Sequence, residues 1–440
     1  MTRAQGFPSA AARGPIVVAA LTLPAVVLWA FALPLHTRVE NTAAAFHSLA
    51  NITALLGTAC FAVNLLIGAR LPFAERCFGP FERMYRLHRT VGLAALMLLV
   101  SHAIFLGANR ATRSFRASLE LFLPGAGWAV FAGVIGLLGM IAAVALTVLG
   151  RLSHETFIWV QRSFGLIFLV SVVHVMAQPG ALHSAPTLYL LALAVLAVAA
   201  FLYRSVFGRY LVRRHGYRLE GVDRLDPGVA ELTLTPEGRP LPFRPGQFAY
   251  FSFLDGAVGS EPHPFSIASS PRDPSLRVVV KALGDYTTDL MKIRPGAKAR
   301  VEGPYGRFSY LEVSNPRQIW IAGGIGITPF LSMARSLDPA GYHIDLYYCT
   351  EHAEQAHFLG ELFEIGERDR RFRVIPIRTV SLGYISAEDI LGVSRNLVEI
   401  DILLCGPPAM NRNLLAQFAQ IGVPAHQIHW EDFDFLGSSR

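Results

Sequence analysis

The 440-residue sequence is poor in cysteine, with only four residues and no Cys-x-x-Cys pair. Cys60 lies in a long apolar run, Cys77 in a basic loop, and Cys349 and Cys405 in the second half. That spacing suggests neither a zinc site nor a disulfide framework. Nucleic-acid-binding motifs are also lacking, so the formal net charge of +7 is not the footprint of an RNA or DNA partner. The first apolar run follows Arg3 and Arg13 but has no small-x-small cleavage site after it. It is longer than the ~7–15 apolar residues of a signal-peptide core, and is expected to be a retained helix.

What the chain has in quantity is apolar surface. Hydrophobic residues make up 52% and mean hydropathy is +0.40, high for a soluble protein. The excess sits in the first half, as six runs at about residues 15–35, 43–67, 91–107, 128–149, 157–176 and 188–207. A bilayer core takes about 20 helical residues. The third run is short unless its polar entry near His88 is counted. Buried helices of a large soluble protein resemble one such run, not six in succession.

Basic residues set the expected orientation. With the N-terminus in the cytoplasm, 13 arginines face inward: Arg3, Arg13, Arg70, Arg76, Arg83, Arg86, Arg89, Arg151, Arg162, Arg204, Arg209, Arg213 and Arg214. Four face outward: Arg38, Arg110, Arg113 and Arg116. An integral protein of the cytoplasmic membrane is expected, in contact with anionic lipid, with the N-terminus and soluble half cytoplasmic.

From about residue 213 the composition becomes that of a globular protein. Short strands at 229–234, 247–253, 276–282 and 299–302, punctuated by Gly and Pro, predict a small antiparallel barrel. After Asn315 the pattern changes to strand and helix alternation, which predicts a parallel α/β domain. Its opening strand at 318–322 is followed by Gly-Gly-Ile-Gly-Ile-Thr-Pro, from Gly323 to Pro329, and then an apolar helix. Glycines let a pyrophosphate approach the backbone, and the helix N-terminus supplies free N–H groups. The expected division is 1–214, a transmembrane bundle; 215–312, a β-barrel domain; and 313–440, a nucleotide-binding α/β domain.

The soluble half resembles the ferredoxin–NADP reductase superfamily, and the whole chain resembles its ferric reductase and NADPH oxidase branch. The resemblance rests on motifs in family order: Phe-Arg-Pro-Gly-Gln-Phe ending at Phe248; His-Pro-Phe-Ser from His263 to Ser266; Lys-Ala-Leu-Gly-Asp-Tyr-Thr from Lys281 to Thr287; Gly-Pro-Tyr-Gly from Gly303 to Gly306; the Gly323 turn; and Cys-Gly-Pro-Pro from Cys405 to Pro408. It implies a transmembrane oxidoreductase passing electrons from NADH or NADPH through FAD to haem b, one or two groups.

The same resemblance implies roles. Phe265 would pack on the isoalloxazine and Ser266 would hydrogen-bond near its reactive nitrogen, beside His263 and Pro264. Lys281 opens the motif in which Gly284, Thr287 and Thr288 would donate to the FAD phosphates; ordinary helix capping is the competing reading. Gly303, Tyr305 and Gly306 would support the flavin. Gly323, Gly324, Gly326, Thr328 and Pro329 would hold the nucleotide with Cys405, Gly406 and Pro407, the thiol beside the nicotinamide in a positioning role. Ser266 and Cys405 are therefore the candidate catalytic pair. Phe433 or Phe435 would cover the flavin.

Nucleotide choice stays open. Thr350 and Glu351 follow the second strand where NADPH-using relatives commonly carry an arginine, and Glu351 would repel a 2′-phosphate; Arg371, Arg373 or Arg378 could approach instead.

Ionisable residues inside a membrane are costly and mark function. His88 and His102 are 14 residues apart, which returns to nearly the same helix face after about 21 Å. Two stacked haems, each with axial imidazoles, need such a spacing. His174 would pair with His102, but the residue matching the family's other histidine is Gln161. His154 precedes His174 by 20 residues, about 200° around an ideal helix. The inner haem is therefore held by His88 with an unusual partner, or absent, or ligated by His154 if that entry is not helical. His36, His47 and His183 would be interfacial or bind an external metal. The acceptor, ferric chelate or oxygen, is not written in the motifs; a donor subunit feeding a quinone or partner protein is the alternative.

Overall fold

The computed structural model describes residues 10–431, apart from residues 33, 72, 73, 80, 151, 153, 257, 314, 338–340, 395, 396 and 398. The chain divides into two units, Met1–Val212 and Arg213–Arg440.

The first unit contains six helices long and apolar enough to cross a membrane: α1 (Ala10–Ala32), α2 (Thr42–Gly68), α3 (Phe81–Ala111), α4 (Trp128–Leu149), α5 (His154–Met176) and α6 (Ala185–Phe201). Helix α2 is the centre of the bundle, half of its span being buried against 11–17% for α1, α3, α4 and α5. Its start is fixed by Asn41, whose Oδ1 accepts the Ala44 N–H at 2.9 Å, an N-cap.

Two ends differ from the expected runs, each for a local reason. Helix α3 begins at Phe81, ten residues before the apolar run, and takes in Arg83, Arg86, His88 and Arg89. Apolar counting stops at the first charges, yet long cationic side chains extend from a helix into the interface without ending it. Helix α1 stops at Ala32, and a separate turn, Leu35–Arg38, follows. The buried Arg38 donates to Trp29 O at 2.9 Å and Ala30 O at 2.6 Å, with its guanidinium 4.1 Å from the Trp29 ring. It thereby closes carbonyls that the last helical turn leaves open.

The second unit opens with β1 (Arg214–Asp226), β2 (Val229–Pro236), β3 (Phe248–Leu254), β4 (His263–Ser266), β5 (Leu276–Lys281) and β6 (Lys298–Tyr305), an antiparallel sheet of order β4-β3-β6-β1-β2-β5. An Ile267–Val278 bridge and an Ala268 N–H to Arg277 O bond of 2.7 Å join its two edges. Inside lie Leu219, Leu232, Phe251, Phe253, Val278 and Val301.

A parallel sheet follows: β7 (Arg317–Gly323), β8 (His343–Thr350), β9 (Phe372–Arg378), β10 (Asp401–Cys405) and β11 (Ile428–Glu431), in the order β11-β10-β7-β8-β9. The chain moves outward from β7 to β9, then returns to build on the other side. A topological switch point therefore lies between β7 and β10, where α/β sheets bind ligands at their carboxyl ends.

Candidate functional site

The Gly323 turn follows β7 and the Cys405 turn follows β10, so the two flank the switch point. They also touch. A Cβ on Gly326 would lie 2.2 Å from Cys405 O, and one on Gly406 would lie 3.1 Å from Gly323 Cα. Backbone contact this close admits only glycine. Thr328 and Pro329 begin the seven-residue buried helix Thr328–Ala334, the Thr328 hydroxyl donating to Ile325 O at 3.1 Å. Gly324 has φ +54, a left-handed conformation. Two motifs about 80 residues apart in sequence thus form one glycine-lined cradle, with Pro407 packed 2.8 Å from the Cβ position of Gly323. The Cys405 side chain is fully buried within the core that includes Trp320 and Phe330. Cys349, paired in register with Gly323, is also buried, and burial pushes its thiol up to about 12.

On the barrel, β3 and β4 set Ser266 opposite Phe248 and Phe265 opposite Ala249. Ser266 is 5% exposed and its Oγ has no hydrogen-bond partner. An orphaned buried hydroxyl is costly unless something completes it, which fits a flavin nitrogen. Phe265 packs on the barrel core, its ring 6.0 Å from Phe251. Gly303 (φ +157) and Gly306 (φ +90) turn the chain after Glu302, and Gln247 Nε2 donates to Gly306 O at 2.8 Å. Tyr305 lies 5.9 Å from Phe248 and donates to Glu302 at 2.8 Å.

Thr287 has a local task. Its hydroxyl accepts the N–H groups of Leu283 (2.9 Å) and Gly284 (3.0 Å), so the capping geometry is present. Thr288 contributes its N–H to Gly284 O at 2.9 Å, and Lys281 is exposed at the end of β5. His263 stacks on Tyr286, with ring centroids 3.5 Å apart and planes 18° from parallel. That contact joins the His-Pro-Phe-Ser and Lys-Ala-Leu-Gly-Asp-Tyr-Thr motifs. Tyr286 was not among the expected site residues, although it stands between Gly284 and Thr287. Burial raises its phenol well above the ordinary range and keeps it neutral. Phe433 and Phe435 lie outside the described residues.

In the first unit three imidazoles share one arrangement. His88 Nδ1 lies 3.1 Å from Asn64 O, His102 Nδ1 2.9 Å from Ala50 O, and His174 Nδ1 2.7 Å from Ala129 O. A carbonyl only accepts, so each Nδ1 carries the hydrogen and each Nε2 keeps its lone pair, as a metal-ligating histidine requires. Helix α5 is continuous from His154 to Met176. Gln161 is half-buried on α5. No group of three or more His, Cys, Asp and Glu suited to a metal ion occurs among the described residues.

At the outer edge of the α/β sheet the arginines separate. Arg373 is paired bidentately with Asp345 (2.8 and 2.7 Å), and Arg371 with Asp369 (3.1 Å). Both are at the amino end of β9. Arg378 is at its carboxyl end, opposite Thr350. Exposed Glu351 follows Thr350, and its carbonyl accepts the Val380 N–H at 3.4 Å.

Comparison with known proteins places three matches in order along the chain. Residues 53–172 match the ferric reductase like transmembrane component, 216–309 an FAD-binding domain, and 320–415 an oxidoreductase NAD-binding domain. The carnitine monooxygenase reductase subunit of Escherichia coli (strain K12) is 27% identical over 223 residues, 48% of this chain and 66% of that protein. Dual oxidase 2 of Homo sapiens is 25% identical over 315 residues, 62% of this chain and 19% of that protein. A ferredoxin NADP+ reductase from Neisseria gonorrhoeae with bound FAD and NADP is 18% identical, covering 50% of this chain and 98% of that one with a TM-score of 0.44. The chain spans 66%, 62% and 34% of the length of the first three curated relatives it matches. A ferric reductase-like membrane component thus precedes FAD- and NAD-binding domains in one chain.

Proposed function

We propose that this chain oxidises a nicotinamide nucleotide at the Gly323–Cys405 cradle and delivers electrons through FAD to haem in the membrane, for an acceptor on the outer face. FAD supplies the exchange of a two-electron hydride for single electrons, which haem iron takes up. The Gly323, Gly326 and Gly406 backbones admit the pyrophosphate, and the Thr328 helix start presents N–H groups to it. The buried Cys405 shapes the nicotinamide wall. The Ser266 hydroxyl orients the flavin edge, and Tyr286 stacked on His263 closes its far side. Thr287 caps the turn that would face the FAD phosphates.

The observation that carries the transmembrane path is the common histidine geometry, with Nδ1 bound to a carbonyl and Nε2 left to ligate. His102 and His174 are the proposed outer pair. Gln161 stands on α5 where the second inner ligand is expected, so one haem is the expected content. The arginine bias supports a cytoplasmic reductase unit. Of the outer arginines, Arg116 is paired with Glu120 at 2.7 Å, which leaves Arg110 and Arg113 to attract an anionic ferric chelate; oxygen needs no such patch.

Haem-to-polypeptide stoichiometry tests this reading, measured on the parent and on Gln161→His, His88→Ala and His174→Ala. One haem in the parent, two in Gln161→His and none in His174→Ala are expected, with His88→Ala matching the parent. Two haems in the parent would sink the missing-ligand argument. A yellow protein bleached by NADH or NADPH but lacking a Soret band would favour a donor subunit serving a quinone or partner protein, the reading that Gln161 motivates.

A further inference from the structure

Two residues after Ser266, the chain leaves the barrel edge and meets the helix Thr328–Ala334. The Ser332 hydroxyl, fully buried, donates to Ser269 O at 2.7 Å. Arg335, just past the helix end and with its side chain 5% exposed, donates to Ala268 O at 2.8 Å. The rest of its guanidinium is held by Glu361 in two bonds, at 2.6 and 2.7 Å, and by Glu231 of the barrel at 3.3 Å. Ser336 Oγ meets Ser270 Oγ at 3.1 Å. Three successive residues, 268 to 270, are thus tied to one helix, and Ala268 packs into the α/β core beside Phe330 and Leu331.

That helix begins at the glycine cradle, and the tied segment begins two residues after Ser266. We propose that Ser332 and Arg335 are positioning residues that set the spacing between the flavin-facing strand end and the nucleotide cradle. This rests on the functional reading above. In that reaction the C4–H bond of the dihydronicotinamide breaks, and its hydrogen leaves with both electrons for the flavin. Transfer over such a path is sensitive to misplacement by about 1 Å. Both side chains are engaged by the protein itself, Arg335 through the Ala268 carbonyl and Ser332 through the Ser269 carbonyl. Each is buried and bonded, so removing one leaves a carbonyl unpaired in a dry interface, which loosens the segment rather than emptying the site.

The test uses the full chain in detergent with FAD bound, comparing the parent with Ser332→Ala, Arg335→Met and Arg335→Lys. Readouts are FAD content, Kd for oxidised nucleotide, stopped-flow flavin bleaching with its C4-deuterium isotope effect, and hydrogen–deuterium exchange at residues 267–270. Ser332→Ala and Arg335→Met are expected to bleach at least tenfold more slowly at saturating nucleotide, with Kd within twofold, a larger isotope effect and faster exchange at 267–270. Arg335→Lys, which keeps a cation and a donor, should recover most of the rate. Unchanged rates, or a Kd that weakens while the saturated rate holds, would overturn the proposal. If Arg335→Met loses FAD, Ser332→Ala decides alone, since it removes a single oxygen. A parent that never bleaches refutes the functional reading instead; the clamp then fails if exchange at 267–270 is no faster in the variants.

Discussion

The His174 ring lies so close to Gly133 that a Cβ on that glycine would stand 2.6 Å from its Nδ1. Gly133 is one helical turn beyond Ala129, the residue whose carbonyl holds the same nitrogen. Helix α4 therefore both orients this imidazole and makes room for it. Gly133→Ala is expected to push the ring off Ala129 O and cost at least half of the Soret absorbance per FAD, with nucleotide-driven bleaching unchanged. Equal Soret-to-FAD ratios in parent and variant would count against His174 as a ligand.

At the cradle, the contact between Gly326 and Cys405 O is backbone to backbone and has no flexible atom to yield. Gly326→Ala should weaken nucleotide binding at least tenfold and lower stability by about 1–3 kcal/mol, the usual cost of overpacking. Gly392, inside the helix Ala387–Ser394, has nothing within 4 Å of its Cβ position. Gly392→Ala should leave binding alone and add up to ~1 kcal/mol by helix propensity. Titration of nucleotide onto the two variants, with thermal melts, checks both.

Nucleotide preference follows from which cations reach the carboxyl end of the sheet. Arg371 and Arg373 are at the wrong end and neutralised, leaving Arg378 beside Glu351. A carboxylate there accepts from a ribose 2′-OH and repels a 2′-phosphate, so NADH is the expected donor, by at least tenfold in kcat/KM. Glu351→Arg should narrow or invert that ratio, whereas Arg371→Ala and Arg373→Ala should hold it within twofold. A parent faster with NADPH would show this assignment to be wrong.

Acid should release the clamp. Burial alone would raise the Glu361 carboxyl, but the hydrogen bonds and charge of Arg335 outweigh it and hold it below the ordinary range. A depressed carboxylate stabilises the fold above its unfolded pKa, about 4.3. That contribution is lost as pH falls through the lower folded value. Glu361 is partly exposed, so solvent screens the effect. Melting temperature is expected to fall more steeply below about pH 4 in the parent than in Glu361→Gln, and parallel profiles would exclude this pair as a source of acid lability.

Much of this was legible in sequence because it is periodic or punctuated. Six apolar runs announce six helices, and a strand ending in Gly-Gly-Ile-Gly before Thr-Pro announces a cradle. What stayed hidden depends on partners from elsewhere in the chain. Arg38 reads as an outer loop charge, yet it ends α1. Arg371 and Arg373 read as candidates for a phosphate, but only the strand register reveals which end of the sheet they occupy. β1 is harder to read as a strand, because its outward positions are charged and it bends at irregularities after Leu219 and Arg224. Ser332 and Arg335 belong to no motif; their partners are carbonyls, which carry no sequence signature. The Tyr286–His263 stack joins two motifs that were each recognised alone.

The carbonyls that hold His88 and His102 belong to Asn64 and Ala50 of one helix, 14 residues apart, matching the interval between the two histidines. No substitution at position 50 or 64 removes a carbonyl. What the pair of rings inherits from α2 is a length. A single residue inserted anywhere between 50 and 64 would turn one carbonyl by about 100° relative to the other and move it about 1.5 Å. What these two contacts constrain is the number of residues between positions 50 and 64.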